Sequence, residues 1–367
     1  MEHRHNKIFT AATAIGASIS ILLIVAYIAS AFGGMVDPAE SAKLSVLGLC
    51  FPILLIAMLI MLLLWLLLRK WSMVALIATA LIVTSSEILT FSPLNIGSCD
   101  ASADKSFKVL TFNVMSFADN AGCATDTNRT ISYILHSGAD IVCLQEVGLT
   151  PSQSNNDSLL HRMSQVEAVY PYHYRNTDDV MLLSKFPFSI TTDSLDIDGI
   201  VRARGWDIDV NGKLIRLITC HIESIGLTDT DKVLYQKLTR LDNMSTVNDI
   251  EEVRGTLVAK LTRAFRRRAL QAIELRKLLD NAGENVILCG DFNDTPSSFA
   301  YRTIRGTDMH DAYADCAFGP DITYHSNRFF FRIDHILYRG GFSACNIERG
   351  KIDSSDHYPL LATFAWK

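Results

Sequence analysis

Val286-Ile-Leu-Cys-Gly-Asp-Phe-Asn-Asp-Thr-Pro296 joins a short apolar run to a polar turn. The run reads as a buried strand, and Gly290 permits a tight turn at its end. Asp291 and Asn293 lie two apart on extended chain, so both side chains point the same way. One can orient or deprotonate a water and the other can hold a phosphate oxygen through its amide. A bare Asp-x-Asn is weak evidence, because aspartate and asparagine are ordinary turn residues where a strand reaches water.

The same arrangement recurs along the chain, and the repetition gives it weight. Val109-Leu-Thr-Phe-Asn113, Ile141-Val-Cys-Leu-Gln-Glu146 and Leu214-Ile-Arg-Leu-Ile-Thr-Cys-His221 are each apolar runs that end on a polar side chain. Val180-Met-Leu-Leu-Ser184, Ile208-Asp-Val210, Ile333-Asp-His-Ile-Leu-Tyr338 and Leu360-Leu-Ala-Thr-Phe364 have the same strand character. Helical periodicity appears over Thr127 to Ser137 and Leu257 to Leu279. Many strands with few helices predict an α/β (α+β) fold of two stacked β-sheets flanked by helices, not one doubly wound sheet. Several strands delivering polar side chains to one rim would build a concave site.

Within that site Glu146 is a single hard carboxylate of the kind Mg²⁺ prefers alongside water and phosphate oxygens. Asp356-His357, in Ser354-Ser-Asp-His-Tyr-Pro359, is a terminal carboxylate and imidazole, and Asp334 lies in Phe331-Arg-Ile-Asp-His335; a carboxylate partner fixes a histidine's tautomer and stabilises the imidazolium. His221 can protonate a leaving oxygen or bond a non-bridging one, and Glu223 on the same strand face reads either as its orienting partner or as a solvent-exposed side chain.

In this order Phe112-Asn113, Leu144-Gln-Glu146, Cys220-His221, Gly290-Asp-Phe-Asn293, Arg332-Ile-Asp334 and Ser355-Asp-His357 resemble the endonuclease/exonuclease/phosphatase superfamily over about Lys108 to Phe364. The resemblance implies a four-layer sandwich with the site between the sheet rims, and Mg²⁺-dependent hydrolysis of a phosphoester, with Mn²⁺ as a substitute. It implies Glu146 and Asp356 at the metal, with Asn113 near metal and phosphate. Asp291 and Asn293 would serve water and phosphate, Asp334 and His357 would pair, and His221 would be a second histidine. Arg204, in Arg202-Ala-Arg-Gly-Trp206, falls where such proteins often place a substrate-side residue.

The remaining sequence is of another kind. Hydrophobic residues make up 49% of the 367 and mean hydropathy is +0.19, an excess concentrated before residue 92. Three runs, about 8–32, 44–68 and 71–91, each approach or exceed the roughly 20 residues that cross a bilayer as a helix. They predict a membrane anchor over 1–91, a linker over 92–107 and a catalytic domain over 108–367. A competing reading takes the first run as a signal peptide ending near Ala29-Ser30-Ala31, but its apolar core exceeds the usual h-region of about 7–15 residues.

Arg4 and Lys7 precede the first run and Arg69-Lys70 separates the second from the third. Positive-inside logic places both clusters in the cytoplasm, and the catalytic domain outside it, as in an integral protein of a bacterial inner membrane. Beyond Glu87 the chain carries 29 basic and 35 acidic residues, which lacks the bulk basic surface of a protein that grips long nucleic acid. The expected partners are therefore the bilayer and a lipid headgroup or small phosphoester; a tethered nuclease is the alternative and a non-catalytic receptor a third. Arg263, Arg266, Arg267 and Arg268 read either as a solvated helix face or as contacts for phosphate or anionic headgroups. Cys99 and Cys123, in loop-like sequence, are a candidate disulfide.

Overall fold

Alternation of side chains along the apolar runs sorts them onto two sheets. A computed structural model describes residues 2–97, 105–117, 128–148, 157–174, 179–226, 247–326 and 330–367. The first sheet contains β1 (Ser106–Asn113), β2 (Ile141–Gln145), β3 (Tyr172–Tyr174), β4 (Val180–Ser184), β11 (Phe342–Arg349) and β12 (Leu360–Trp366), in the order β11-β12-β1-β2-β4-β3. The second contains β5 (Phe188–Ile197), β6 (Ile200–Val210), β7 (Lys213–His221), β8 (Val286–Asp291), β9 (His310–Asp311) and β10 (Asp334–Arg339), in the order β5-β6-β7-β8-β10-β9.

Alternate residues of each strand fill different layers, as a period of two requires. Val109, Ile141, Cys143, Leu217, Ile287 and Ile336 enter the core between the sheets. Leu110, Phe112, Val142 and Leu144 face outward onto α6 (Arg129–His136) and α7 (Asp157–Val169) through Ile131, Ile134, Met163 and Val166. Ile218, Cys220, Val286 and Leu288 face α8 (Val247–Asp280) and α9 (Phe299–Arg305) through Ala272, Leu275 and Tyr301. The result is the four-layer sandwich, helix, sheet, sheet, helix.

Each sheet has one parallel pair at its centre, β1 with β2 and β7 with β8. Parallel pairing brings two C-terminal strand ends to the same rim: Asn113 lies opposite Gln145, and His221 opposite Asp291. Strand β10 runs antiparallel to β8 with Asp334 opposite Asp291, so its first residue joins the same rim. Gly290 has φ +143°, and a Cβ there would lie 1.9 Å from the Cys220 carbonyl oxygen; only glycine lets β8 approach β7 this closely just before Asp291.

The apolar N-terminal region is a helical bundle of α1 (Glu2–Phe32), α2 (Pro38–Gly48), α3 (Phe51–Leu67), α4 (Trp71–Val83) and α5 (Ser85–Phe91). Thr10–Met35 is by itself long and apolar enough to cross a membrane. The second and third expected spans are bent pairs, α2 with α3 at 50° and α4 with α5 at 64°, and each spans only if the pair is taken as one. Physical causes are visible at both bends. Pro52 sits in the first turn of α3, where its ring excludes continuation of α2 through Gly48. At the second, the Thr84 hydroxyl donates to the Ala80 carbonyl at 2.9 Å and meets the Tyr27 hydroxyl at 2.6 Å.

The bundle is fastened to the sandwich. Arg302 donates to the Ala31 carbonyl at 2.9 Å and pairs with Glu87, and Arg332 donates to the Thr90 carbonyl at 2.7 Å. These guanidinium groups satisfy carbonyls near the C-terminal ends of α1 and α5, where no intrahelical donor exists. Arg266 reaches the Pro38 carbonyl at 3.3 Å, and the Ser297 hydroxyl reaches that of Gly48 at 3.3 Å. A Cβ on Gly34 would meet the Ser297 carbonyl oxygen at 2.0 Å, so the two parts touch backbone to backbone.

Candidate active site

Asp291 is the centre of the rim. It is buried, and its carboxylate accepts from the Asn293 backbone N–H at 2.7 Å, the Asn293 amide at 3.2 Å and the Asn113 amide at 3.1 Å. Burial, with a smaller contribution from Asp334, raises its pKa to about 6 despite the opposing charges of His357 and His221.

Asn113 also donates to Glu146 at 3.0 Å, while its own oxygen accepts from the Met115 N–H at 3.1 Å. In this orientation the amide holds the two carboxylates and its oxygen is engaged by backbone. Glu146 and Asn293 have φ of 53° and 50°, and Met115, Ser116 and Phe117 also lie at positive φ. Left-handed backbone at non-glycine residues costs about 1–3 kcal/mol each and persists where the surrounding structure imposes it. Here it gathers around the rim.

Two histidines flank Asp291. His357 Nδ1 lies 2.9 Å from Asp334, and its Nε2 lies 3.6 Å from Asp291. Burial disfavours the imidazolium, but the charges of Asp334 and Asp291 outweigh it and push the pKa up to about 10. His221 bonds Asp179 through Nδ1, leaving Nε2 3.6 Å from Glu146 and 3.9 Å from Asp291. Its pKa is also raised: burial opposes this, and the Asp179 hydrogen bond and neighbouring carboxylates prevail. His221 Nε2 is buried without a hydrogen-bond partner among the described residues, as is Asp334 Oδ1.

Asp179, immediately before β4, is the residue sequence reasoning missed. Glu223, the expected partner of His221, instead pairs with Arg202 at 3.0 Å and Arg267 at 2.9 Å. Because β4 is antiparallel to β2, its beginning comes to the rim where β2 ends. The aspartate pair before an apolar run was the available signal.

Glu146, Asp291, Asn293, Asp356 and His357 line one pocket of about 340 Å³. Arg204 lies one strand beyond His221, on β6 opposite Thr219, with its guanidinium 5.3 Å from the Tyr174 ring. Of the arginine cluster, Arg268 reaches this pocket; it is buried, 3.5 Å from Asp294 and over the Phe265 ring. Arg267 takes the solvated course. Cys99 and Cys123 fall outside the described residues. Cys345 is disulfide-bonded, whereas Cys50, Cys143, Cys220, Cys289 and Cys316 are free.

The family model for the endonuclease/exonuclease/phosphatase family matches residues 110–357. The chain belongs to this family. Family membership, with carboxylates, amides and imidazoles converged on one rim, makes it an enzyme of the metal-dependent phosphoric-ester hydrolase class. A second model, a domain of unknown function, matches residues 7–91. No curated protein matches the chain.

Among solved structures, TDP2 of D. rerio, complexed with a single-strand DNA product, matches over 71% of this chain and 98% of its own at 17% identity and TM-score 0.48. The human Nocturnin catalytic domain, with bound sulfate anion, matches over 73% and 96% at 15% identity and TM-score 0.46. Sphingomyelinase C from Streptomyces griseocarneus matches over 70% and 99% at 18% identity and TM-score 0.42. Likenesses this distant say nothing about the substrate of this member.

Members of this family generally use divalent metal ions, and the donors here suit one. Asp291, Asp334 and His357 place ligand atoms within 4.8 Å of one another. That imidazole, however, is already engaged by Asp334 through Nδ1 at 2.9 Å. Glu146 and Asp356 are further hard oxygen donors lining the same pocket.

Proposed function

We propose that this family member is a Mg²⁺-dependent hydrolase of phosphoester bonds, acting outside the cytoplasm on a lipid headgroup or small phosphoester. The observation that carries the reading is the arrangement around Asp291: a buried carboxylate held by two amides and flanked by two carboxylate-backed imidazoles. Mg²⁺, held by Glu146 and Asp356, would supply charge neutralisation on the phosphoryl oxygens.

The chain's own groups account for the rest. Asp291, with a pKa near neutrality, accepts a proton from the attacking water. Asn293 and Asn113 hold the carboxylate through three hydrogen bonds, which leaves one accepting site for the water. His357, kept protonated by Asp334, and His221, kept oriented by Asp179, present Nε2–H donors toward the phosphate as charge develops on it.

The lipid or small-phosphoester reading is supported by the pocket's lining, in which Arg268 is the one arginine among the described residues and is already paired with Asp294. A surface gripping nucleic acid needs a positively charged groove with stacking groups. In a panel of DNA, RNA, phospholipid and sugar phosphates with Mg²⁺, turnover should be highest on a lipid or small phosphoester. Turnover confined to DNA or RNA would instead make the protein a tethered nuclease.

Placement outside the cytoplasm is supported by the bundle. The segment from Gly33 to Gly48 packs at the same end as the catalytic domain. Arg69 and Lys70 follow α3, whose 17 residues rise about 25 Å, so they belong to the opposite end. A disulfide at Cys345 suits an oxidising compartment. An alkaline-phosphatase fusion to the C-terminus should be active in cells; an expressed but inactive fusion would put the domain in the cytoplasm.

A further inference from the structure

The bundle does more than hold the catalytic domain, because one of its residues enters the active-site pocket. Leu49, at the bend between α2 and α3, lines the same cavity as Glu146, Asp291, Asp356 and His357. Beside Leu49 the wall continues through Leu257 and Leu261 of α8 and through Phe331 and Ile333. The pocket is therefore lined both by carboxylates, an amide and an imidazole and by aliphatic and aromatic side chains.

A second groove of about 210 Å³ lies between the bundle and the catalytic domain, lined by Phe51, Pro52 and Phe91 on one side and Pro296 and Phe330 on the other. It shares Thr295 and Phe331 with the catalytic pocket, so the two cavities are neighbours across one wall. On α3 just beyond Pro52, Ile53 is 70% exposed and Ile56 is 58% exposed, which extends the apolar surface from the groove along the outside of the bundle. Exposed aliphatic side chains on a helix of this kind face hydrocarbon when the helix is in a bilayer.

We propose that the Leu49–Phe331 wall and the adjoining groove form an alkyl-chain subsite, so that the substrate is an amphiphilic phosphoester whose chain lies along the bundle while its phosphate reaches Asp291. This rests on the phosphoester-hydrolase reading and narrows it. A small water-soluble phosphoester leaves the apolar wall wet, whereas an alkyl chain removes it from water. Burial contributes about 0.8 kcal/mol per methylene, so a chain of several carbons alters affinity by orders of magnitude.

The test uses the full chain in nanodiscs with Mg²⁺ and two substrates that share one reacting centre, p-nitrophenyl methyl phosphate and p-nitrophenyl dodecyl phosphate. In both, water adds to phosphorus and the bond to the nitrophenolate oxygen breaks. The wild type is expected to show a KM at least about tenfold lower for the dodecyl ester, the scale of about two buried methylenes. Leu49→Gln and Phe331→Gln are each expected to erase most of that preference, and two variants guard against one failing to fold. Equal KM values for the two esters in the wild type, or a chain preference that survives both substitutions, would overturn the subsite while leaving phosphoester hydrolysis in place. Hydrolysis of neither ester would overturn the hydrolase reading itself and the subsite with it.

Discussion

Asp291→Asn is expected to lower kcat by about 10³-fold or more while leaving the protein folded. Asparagine keeps the size of the side chain, and one oxygen can still accept from the Asn293 N–H that now lies at 2.7 Å. What is lost is the basicity. General-base catalysis contributes about 10²–10⁴-fold, and here the same group is the meeting point of Asn113, Asn293 and both histidines, which places the loss in the upper part of that range. The substitution removes a buried charge but turns an amide NH₂ toward the Asn113 and Asn293 amides that donate to Oδ2, so the unfolding midpoint should fall modestly. Turnover and thermal unfolding measured on the same preparation separate the two effects. Turnover within tenfold of wild type would remove Asp291 from the proton transfer.

His357→Gln is expected to lower kcat by about 10²–10³-fold, and it should also change the shape of the pH profile. In the wild type, activity needs Asp291 unprotonated and His357 protonated, which gives a rise near pH 6 and a fall near pH 10. A cation bound beside these groups moves both limbs to lower pH, because it favours the unprotonated form of each. The variant should lose the alkaline limb, and its acid limb should move to higher pH, because the His357 charge that holds the Asp291 pKa down is gone.

Stability follows the same histidine. Its folded pKa of about 10 lies above its ordinary value of 6.5, so its contribution is complete below 6.5 and disappears as pH rises through 10. Wild-type protein free of metal should therefore lose unfolding midpoint across that window, and His357→Gln should lose less. An unchanged alkaline limb in the variant would assign that titration to another group, with His221 the first to examine.

Much of this site was legible before any coordinates. Asn113, Glu146, His221 and Asp291 each close an apolar run, and a sequence of strands ending on polar residues predicts a rim. Parallel pairing of β1 with β2 and of β7 with β8 then turns four separate strand ends into neighbours. Asp334 and Asp356 were readable through their motifs and not through periodicity.

Asp179 was not legible, since its role depends on β4 running antiparallel to β2, a fact of topology that no local pattern carries. Strands β5 and β11 also escaped notice. Phe188–Ile197 and Phe342–Arg349 occupy sheet edges, are largely polar or half-buried, and lack the apolar runs that mark central strands.

Hydropathy located the apolar segments but not their bends. A sliding average weighs Gly48, Pro52 and Thr84 as single mild residues, whereas the backbone at those points loses helical continuity through a proline ring and a hydroxyl bonded four residues back. Leu49, at the first bend, lines the catalytic pocket. Arg268 likewise belonged to a cluster that reads as a solvated helix face, yet it is buried against Asp294, and the fastening of Arg302 to Glu87 joins residues far apart in sequence.

The most direct measurement is turnover of bis-p-nitrophenyl phosphate by the full chain with Mg²⁺, followed by chelation with EDTA and re-addition of the metal, in wild type and in Glu146→Gln. The account predicts hydrolysis that stops on chelation, returns with Mg²⁺, and in the variant requires at least about tenfold more Mg²⁺, the scale of losing one metal-centre interaction. Hydrolysis indifferent to EDTA, with the same Mg²⁺ dependence in both proteins, would contradict it.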